Sequence, residues 1–203
     1  MTPFARFYPI VDSLAWIARL IGCGTQCVQL RVKERGAAET RRLVREARAL
    51  CRGHAVQLIV NDYWQIAIEE RCDFVHLGQG DLDTADIAAI RSAGLRIGIS
   101  THDHAELDRA LALDPDYVAL GPIYPTRLKQ MPWTPQGLAR ITEWKRRVGA
   151  RPLVAIGGLT VARLPGVFAA GADSAAVVSD IVGSDDPEAR IHDWLAATRD
   201  SNV

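Results

Sequence analysis

The sequence predicts an α/β chain folded as a single (β/α)8 TIM barrel spanning residues 1–203. Three observations carry this. First, eight short apolar runs recur at residues 7–11, 28–32, 57–60, 74–77, 96–99, 117–120, 153–156 and 175–178. Runs of this length, bounded by turn residues, read as strands buried on both faces. Second, amphipathic stretches separate the runs, and strand–helix alternation argues for a parallel sheet. Third, eight units in 203 residues give roughly 25 residues per unit, near the lower size limit of a closed barrel. A doubly wound open sheet is the alternative. No G-x-G-x-x-G follows the first run, and eight regular units favour closure.

The elements follow in chain order. In run 28–32, Val28, Leu30 and Val32 share one face while Gln29, Arg31 and Lys33 share the other, because side chains alternate along a strand. Residues 40–51 place Leu43, Val44, Ala47 and Leu50 on one helical face, with arginines elsewhere. Run 57–60 closes on Asn61-Asp62, and run 74–77 is followed by Gly78 and then Gly80-Asp81. Helical spacing recurs over 83–93 and 104–113, and over 138–148 through Leu138, Ile141, Trp144 and Val148. The last helix is expected over 191–198. The longest irregular stretch is 121–136, with four prolines at 122, 125, 132 and 135. A loop of that length in a compact barrel is usually functional, so it is the candidate lid.

Composition narrows the partners. The chain is 48% hydrophobic, and its 24 basic and 24 acidic residues cancel. A nucleic-acid or acidic-membrane partner would call for a basic excess. No apolar stretch approaches the roughly 20 residues of a membrane span, and the first residues lack a signal-peptide core. Cys23, Cys27, Cys51 and Cys72 are scattered, as in a reduced cytoplasmic protein. Cys23 and Cys27 lack a second Cys or His pair for a zinc site and read as core residues. The expected partners are therefore small molecules, and the sequence is compatible with a homo-oligomer.

The polar row Gln29, Arg31, Lys33 has no bulk solvent on either side in a barrel, so near the strand end it should point into the mouth. Arg suits planar phosphate or carboxylate recognition, and Lys acts as a point charge. An edge strand with one wet face is the competing explanation. Asp62 and Asp81 each precede an expected helix, and either alone reads as an N-cap. Together, on adjacent strand ends beside Asn61, they equally support a magnesium site completed by water and substrate phosphate. Gly157-Gly158 after the seventh run and Ser179 after the eighth occupy the usual phosphate site of such barrels. A tight turn that needs glycine is the simpler reading. His102 and His104 lack further zinc ligands, and His76 reads as a satisfied core histidine. No Ser-His-Asp or Cys-His arrangement is present, so the chemistry needs charge stabilisation more than proton transfer.

Seven segments in order resemble the motifs of the thiamine-phosphate synthase family: residues 28–33, 59–62, 75–82, 98–102, 121–126, 154–158 and 176–179, with 129–132 and 135–138 similar to its proteobacterial branch. The resemblance implies a magnesium-dependent transferase. It would join a hydroxymethylpyrimidine diphosphate to a thiazole phosphate, releasing pyrophosphate through ionisation of the pyrimidine substrate. By this resemblance Asp62 and Asp81 would ligate Mg2+. Arg31, Lys33, Lys129 and Asn61 would hold the leaving pyrophosphate, the first three serving catalysis. Gln29 and Ser100 would sit near the pyrimidine, and Thr126, Gly158, Val178 and Ser179 around the thiazole phosphate.

One departure stands out. The family's loop usually reads Pro-Thr-x-Thr-Lys, whereas this chain reads Pro125-Thr126-Arg127-Leu128-Lys129. Loss of the second threonine removes a hydroxyl expected to bond phosphate, and a raised KM for the thiazole phosphate is expected. A related thiazole tautomerase and a non-catalytic thiazole-phosphate binder are rival readings. Neither needs the full set Arg31, Lys33, Asn61, Asp62 and Asp81. A phosphate-sugar isomerase would need an acid/base pair across the mouth.

Overall fold

The computed structural model describes residues 4–126 and 133–199. Eight parallel strands close into a barrel in sequence order: β1 (Phe7–Val11), β2 (Cys27–Leu30), β3 (Gln57–Asn61), β4 (Phe74–Leu77), β5 (Arg96–Thr101), β6 (Tyr117–Leu120), β7 (Leu153–Ile156) and β8 (Ser174–Val177). Closure is made by β8 against β1, with Tyr8 beside Ala176 and Pro9 beside Val177. The helices α1 (Leu14–Gly22), α2 (Ala37–Gly53), α3 (Trp64–Glu69), α4 (Ile87–Ser92), α5 (His104–Ala112), α6 (Gly137–Val148), α7 (Leu164–Ala169), α8 (Ser179–Val182) and α9 (Pro187–Thr198) follow the strands outside. No helix among the described residues is long and apolar enough to cross a membrane.

Period-two alternation divides the apolar side chains into two cores. Tyr8, Ile10, Cys27, Ile59, Phe74, Tyr117, Ala119, Val154 and Ala176 fill the barrel. Their strand neighbours, such as Val28, Leu30, Val60 and Val75, pack outward against Ile17, Leu43, Val44, Trp144 and Trp194. Tyr117 is fully buried in this inner core, and Gly98 makes room for it. A Cβ on Gly98 would lie 2.0 Å from Tyr117 Cζ. Phe4 closes the bottom, its ring 4.9 Å from Tyr117 and 5.7 Å from Tyr8.

Strand positions match the apolar runs, with boundary differences that matter for the mouth. β2 ends at Leu30, although Arg31 N still donates to Val11 O at 2.8 Å. The alternation persists beyond the ladder: Val32 stays buried while Arg31 and Lys33 are exposed. β8 ends at Val177, so Val178 is the residue leading into α8. The carboxylates that do cap helices are those of the N-cap residues Asp86, Asp103 and Asp186, accepting from Ala89, Glu106 and Ala189 backbone N–H groups. Neither α3 nor the 3-10 turn Asp81–Asp83 has a side-chain cap. The N-cap reading of Asp62 and Asp81 is therefore not what their side chains do.

All four cysteines are free thiols, and Cys27, Cys51 and Cys72 are buried. Burial pushes Cys51 up to about 11 and Cys72 up to about 12. They remain protonated packing groups, as the sequence suggests.

Candidate active site

The C-terminal strand ends surround a cavity of about 680 Å³, the end of the barrel where ligands bind. Its floor is polar in an otherwise apolar interior. Gln29, only 2% exposed, donates from Nε2 to Tyr8 Oη at 2.7 Å. Tyr8 Oη lies 2.8 Å from Tyr117 Oη, and His76 Nδ1 lies 2.6 Å from the same Tyr117 oxygen. The other ring nitrogen, His76 Nε2, is 2.8 Å from Ser100 Oγ. Ser100 is fixed further by Gln79 Nε2, which donates to its carbonyl at 2.8 Å. Burial holds His76 down at about 4, so its ring is neutral at pH 7. It is the satisfied core histidine expected, and it also lines the cavity.

On the side of β2, β3 and β4 the cavity is charged. Arg31, Lys33, Asn61, Asp62 and Asp81 all line it. Lys33 Nζ donates to Asp62 Oδ2 at 2.5 Å. Asp62 has φ 65°, a left-handed conformation that Asp tolerates better than most residues. Asp81 Oδ2 accepts from Gly78 N at 2.8 Å. Burial pushes the Asp81 carboxyl up; the Gly78 N–H opposes that, and the Asp62 carboxylate adds repulsion. Two acids are thus held within each other's field, with one lysine bonded to Asp62 and acting on both. Among the described residues no three His, Cys, Asp or Glu side chains converge as a protein-only metal cage. The donor chemistry fits a hard divalent cation that takes one or two carboxylates and completes its shell from water and phosphate oxygens.

The opposite side is built by β6, β7 and β8. Thr126, Gly157, Gly158, Val178 and Ser179 line it. Gly157 and Gly158 have φ 99° and 63°. A Cβ on Gly157 would sit 2.6 Å from Pro122 Cα, and one on Gly158 2.5 Å from Pro125 O. Both glycines are therefore required by the turn and by the close approach of the loop after β6. That loop is tied down on entry and exit: Tyr124 N donates to Gly157 O at 3.0 Å, and Gln136 N donates to Pro122 O at 2.7 Å. Between them, Arg127, Leu128 and Lys129 lie outside the described residues, as does the middle of the candidate lid.

His102 and His104 do not converge. His102 Nδ1 pairs with Glu106 Oε2 at 2.7 Å, whereas His104 Nε2 pairs with Glu143 Oε1 at 2.5 Å. Each strand-derived site residue expected from sequence lines the one cavity. Sequence reasoning gave no role to Tyr8, Tyr117, Gln79 and Trp133, and weighed His102 only as a zinc ligand. The Trp133 ring lies tilted at 34° to the His102 ring, with centroids 4.5 Å apart. Tyr8 and Tyr117 sit inside apolar runs, where an aromatic reads as core. Their signal was that both fall on the inward face of their strands, along with Gln29.

A family model described as thiamine monophosphate synthase matches residues 7–181. The chain is 59% identical over 192 residues to a thiamine-phosphate synthase of Rhizobium etli, covering 95% of this chain and 94% of that one. It is 49% identical over 191 residues to a thiamine-phosphate synthase of Klebsiella pneumoniae, covering 94% and 87%. Among solved structures, a thiamine phosphate pyrophosphorylase from Pyrococcus furiosus superposes with a TM-score of 0.84 at 25% identity, covering 95% of both chains.

Proposed function

The chain belongs to the thiamine monophosphate synthase family, and on that premise we propose how its two-sided cavity works. It joins 4-amino-2-methyl-5-(diphosphomethyl)pyrimidine to 4-methyl-5-(2-phosphoethyl)thiazole, forming thiamine phosphate and releasing pyrophosphate. The observation that carries this reading is the Asp62–Asp81 pair beside Lys33, with neither acid capping a helix. Lys33 offsets one of the two charges, and the other is costly in a substrate-free barrel unless a further cation is received.

Asp62 and Asp81 would hold Mg2+, which when bound would neutralise charge on the pyrophosphate. Arg31, Lys33 and Asn61 bind the same anion from the ends of β2 and β3, and the family resemblance assigns Lys129, outside the described residues, to that anion as well. Gln29 and Ser100 orient the pyrimidine on the cavity floor. Thr126, Gly158, Val178 and Ser179 seat the thiazole phosphate opposite. What supports this division is that the described residues of both sets line one cavity, those after β2–β4 across from those after β6–β8.

The residue inventory suits the bond changes. The C–O bond between the pyrimidine methylene and pyrophosphate breaks with its electron pair going to pyrophosphate. The thiazole nitrogen lone pair then forms the new C–N bond. No proton leaves the nucleophile, so no general base is required. Positioning of the two substrates and stabilisation of the leaving charge supply the catalysis. His76 fits this economy: it is neutral, and both ring nitrogens are engaged by hydroxyl groups.

The test is to incubate the protein with both substrates and Mg2+ and to follow thiamine phosphate and pyrophosphate together. Equal amounts of both are expected, with kcat/KM reduced at least about 100-fold in Asp62→Ala and Asp81→Ala. No product from the unaltered chain would overturn the function. Undiminished product from both variants would overturn the metal assignment.

A further inference from the structure

We propose that Tyr8, Tyr117 and His76 are positioning residues whose hydrogen-bonded chain fixes the direction of every bond between Gln29 and Ser100. The cavity floor thereby presents a carbonyl acceptor at Gln29 and a hydroxyl donor at Ser100, and it selects a ring bearing an exocyclic amine over its oxo counterpart. This deepens the functional reading above and rests on it for the identity of the ring.

The direction follows from counting protons. Gln29 Nε2 donates to Tyr8 Oη. A phenol has one proton, and the remaining partner of Tyr8 Oη among the described residues is Tyr117 Oη at 2.8 Å. Tyr8 must therefore donate to Tyr117, or its own proton is left unpaired in a side chain that is 1% exposed. Leaving a buried donor unpaired is costly. Tyr117 Oη, having accepted from Tyr8, donates its single proton to His76 Nδ1. That nitrogen is then the bare one, so the ring proton sits on Nε2 and donates to Ser100 Oγ. Ser100 accepts from the histidine and keeps its own proton to offer the ligand. At the other end Gln29 has committed its Nε2 inward and offers Oε1. Five side chains thus transmit one direction across the barrel, and a low-dielectric interior strengthens each bond in the series.

An aminopyrimidine complements this floor, because its amine donates and its ring nitrogens accept. In the 4-oxo counterpart the amine becomes an acceptor and the adjacent nitrogen becomes a donor. A site built to bond one pattern rejects the reverse because its own groups are left unpaired.

Two measurements test this. The first needs no variant and no activity: the ring-nitrogen chemical shifts of 15N-histidine-labelled protein at pH 7. His76 is identified as the resonance altered by Tyr117→Phe. A neutral Nε2–H tautomer is expected. A neutral Nδ1–H tautomer would mean the chain runs the other way, and a charged ring would break it; either overturns the proposal. The second compares kcat/KM for the 4-amino and 4-oxo pyrimidine diphosphates in the wild type and in Tyr117→Phe. The preference for the amine should fall by roughly tenfold in Tyr117→Phe, about the worth of one hydrogen bond, with KM for the thiazole phosphate unchanged. If Tyr117→Phe slows both substrates equally and leaves the preference intact, Tyr117 is merely structural and the proposal fails. Should the wild type form no thiamine phosphate, the functional reading falls, while the tautomer measurement still decides the direction of the chain.

Discussion

Lys33 Nζ stands 2.5 Å from Asp62 Oδ2, on the same carboxylate whose charge helps to raise the Asp81 pKa. The lysine thus occupies the position a divalent cation would neutralise, and the two compete for one acid. Lys33→Met should tighten Mg2+ binding to the substrate-free protein, by up to roughly fivefold for an exposed charge pair. It should weaken pyrophosphate binding at the same time. Calorimetric titrations of each ligand into the variant check both directions.

Asp81 is held protonated to higher pH than a free aspartate, first by burial and then by Asp62. The sign follows from proton counting. Between its unfolded and folded pKa values the native state binds the extra proton, so stability falls as pH rises through that window. Above that window the carboxylate is charged, and without a metal that charge is a burden. Asp81→Asn keeps an acceptor for Gly78 N–H and removes the charge. It should raise the metal-free Tm by on the order of 1–2 °C while nearly abolishing activity. Thermal melts with and without Mg2+ check this: the ion should stabilise the wild type and leave Asp81→Asn unmoved.

His76 shifts in the opposite sense. Its ordinary value of 6.5 falls to about 4 because burial disfavours the charged ring. As pH drops through this interval the unfolded chain takes up a proton that the native state refuses. The stabilisation is complete above about 6.5 and is lost toward about 4. At about 1.4 kcal/mol per pH unit the loss over this interval is at most about 3.5 kcal/mol. Denaturant unfolding at pH 7 and at pH 4.5 should show it, and His76→Gln should flatten the difference.

Leu128 stands where the family's loop usually carries a second threonine. A lost hydrogen bond to phosphate is worth about 1.5–3 kcal/mol, or roughly ten- to a hundredfold in affinity. Leu128→Thr should lower KM for the thiazole phosphate by that order and leave KM for the pyrimidine diphosphate unchanged. Steady-state kinetics in each substrate decides it; an unchanged thiazole KM would show that Arg127 or another group already supplies the donor.

The barrel was legible because each strand is a short apolar run closed by turn residues, and all eight landed within a few residues of their expected ends. The helices were less so. α3, α7 and α8 span six, six and four residues, too short for a 3.6-residue period to emerge. On the site, the row Gln29, Arg31, Lys33 was readable from alternation alone. Asp62 and Asp81 were balanced between cap and ligand until the structure showed other aspartates doing the capping. The Tyr8–Tyr117–His76 chain was invisible for a physical reason. Its bonds join residues up to 109 positions apart, and closure of the barrel alone brings them together. Gly98 was equally silent until the Tyr117 ring was seen to fill the space a side chain would need.

The most direct test of the central claim, that Asp62 and Asp81 hold the metal against the leaving pyrophosphate, is calorimetry of pyrophosphate binding with and without Mg2+. It should be run on the wild type and on Asp62→Asn and Asp81→Asn. Tight binding to the wild type is expected only when Mg2+ is present, with loss of that dependence in both variants. Equal pyrophosphate affinity with and without Mg2+, or an unchanged Mg2+ dependence in the variants, would contradict it.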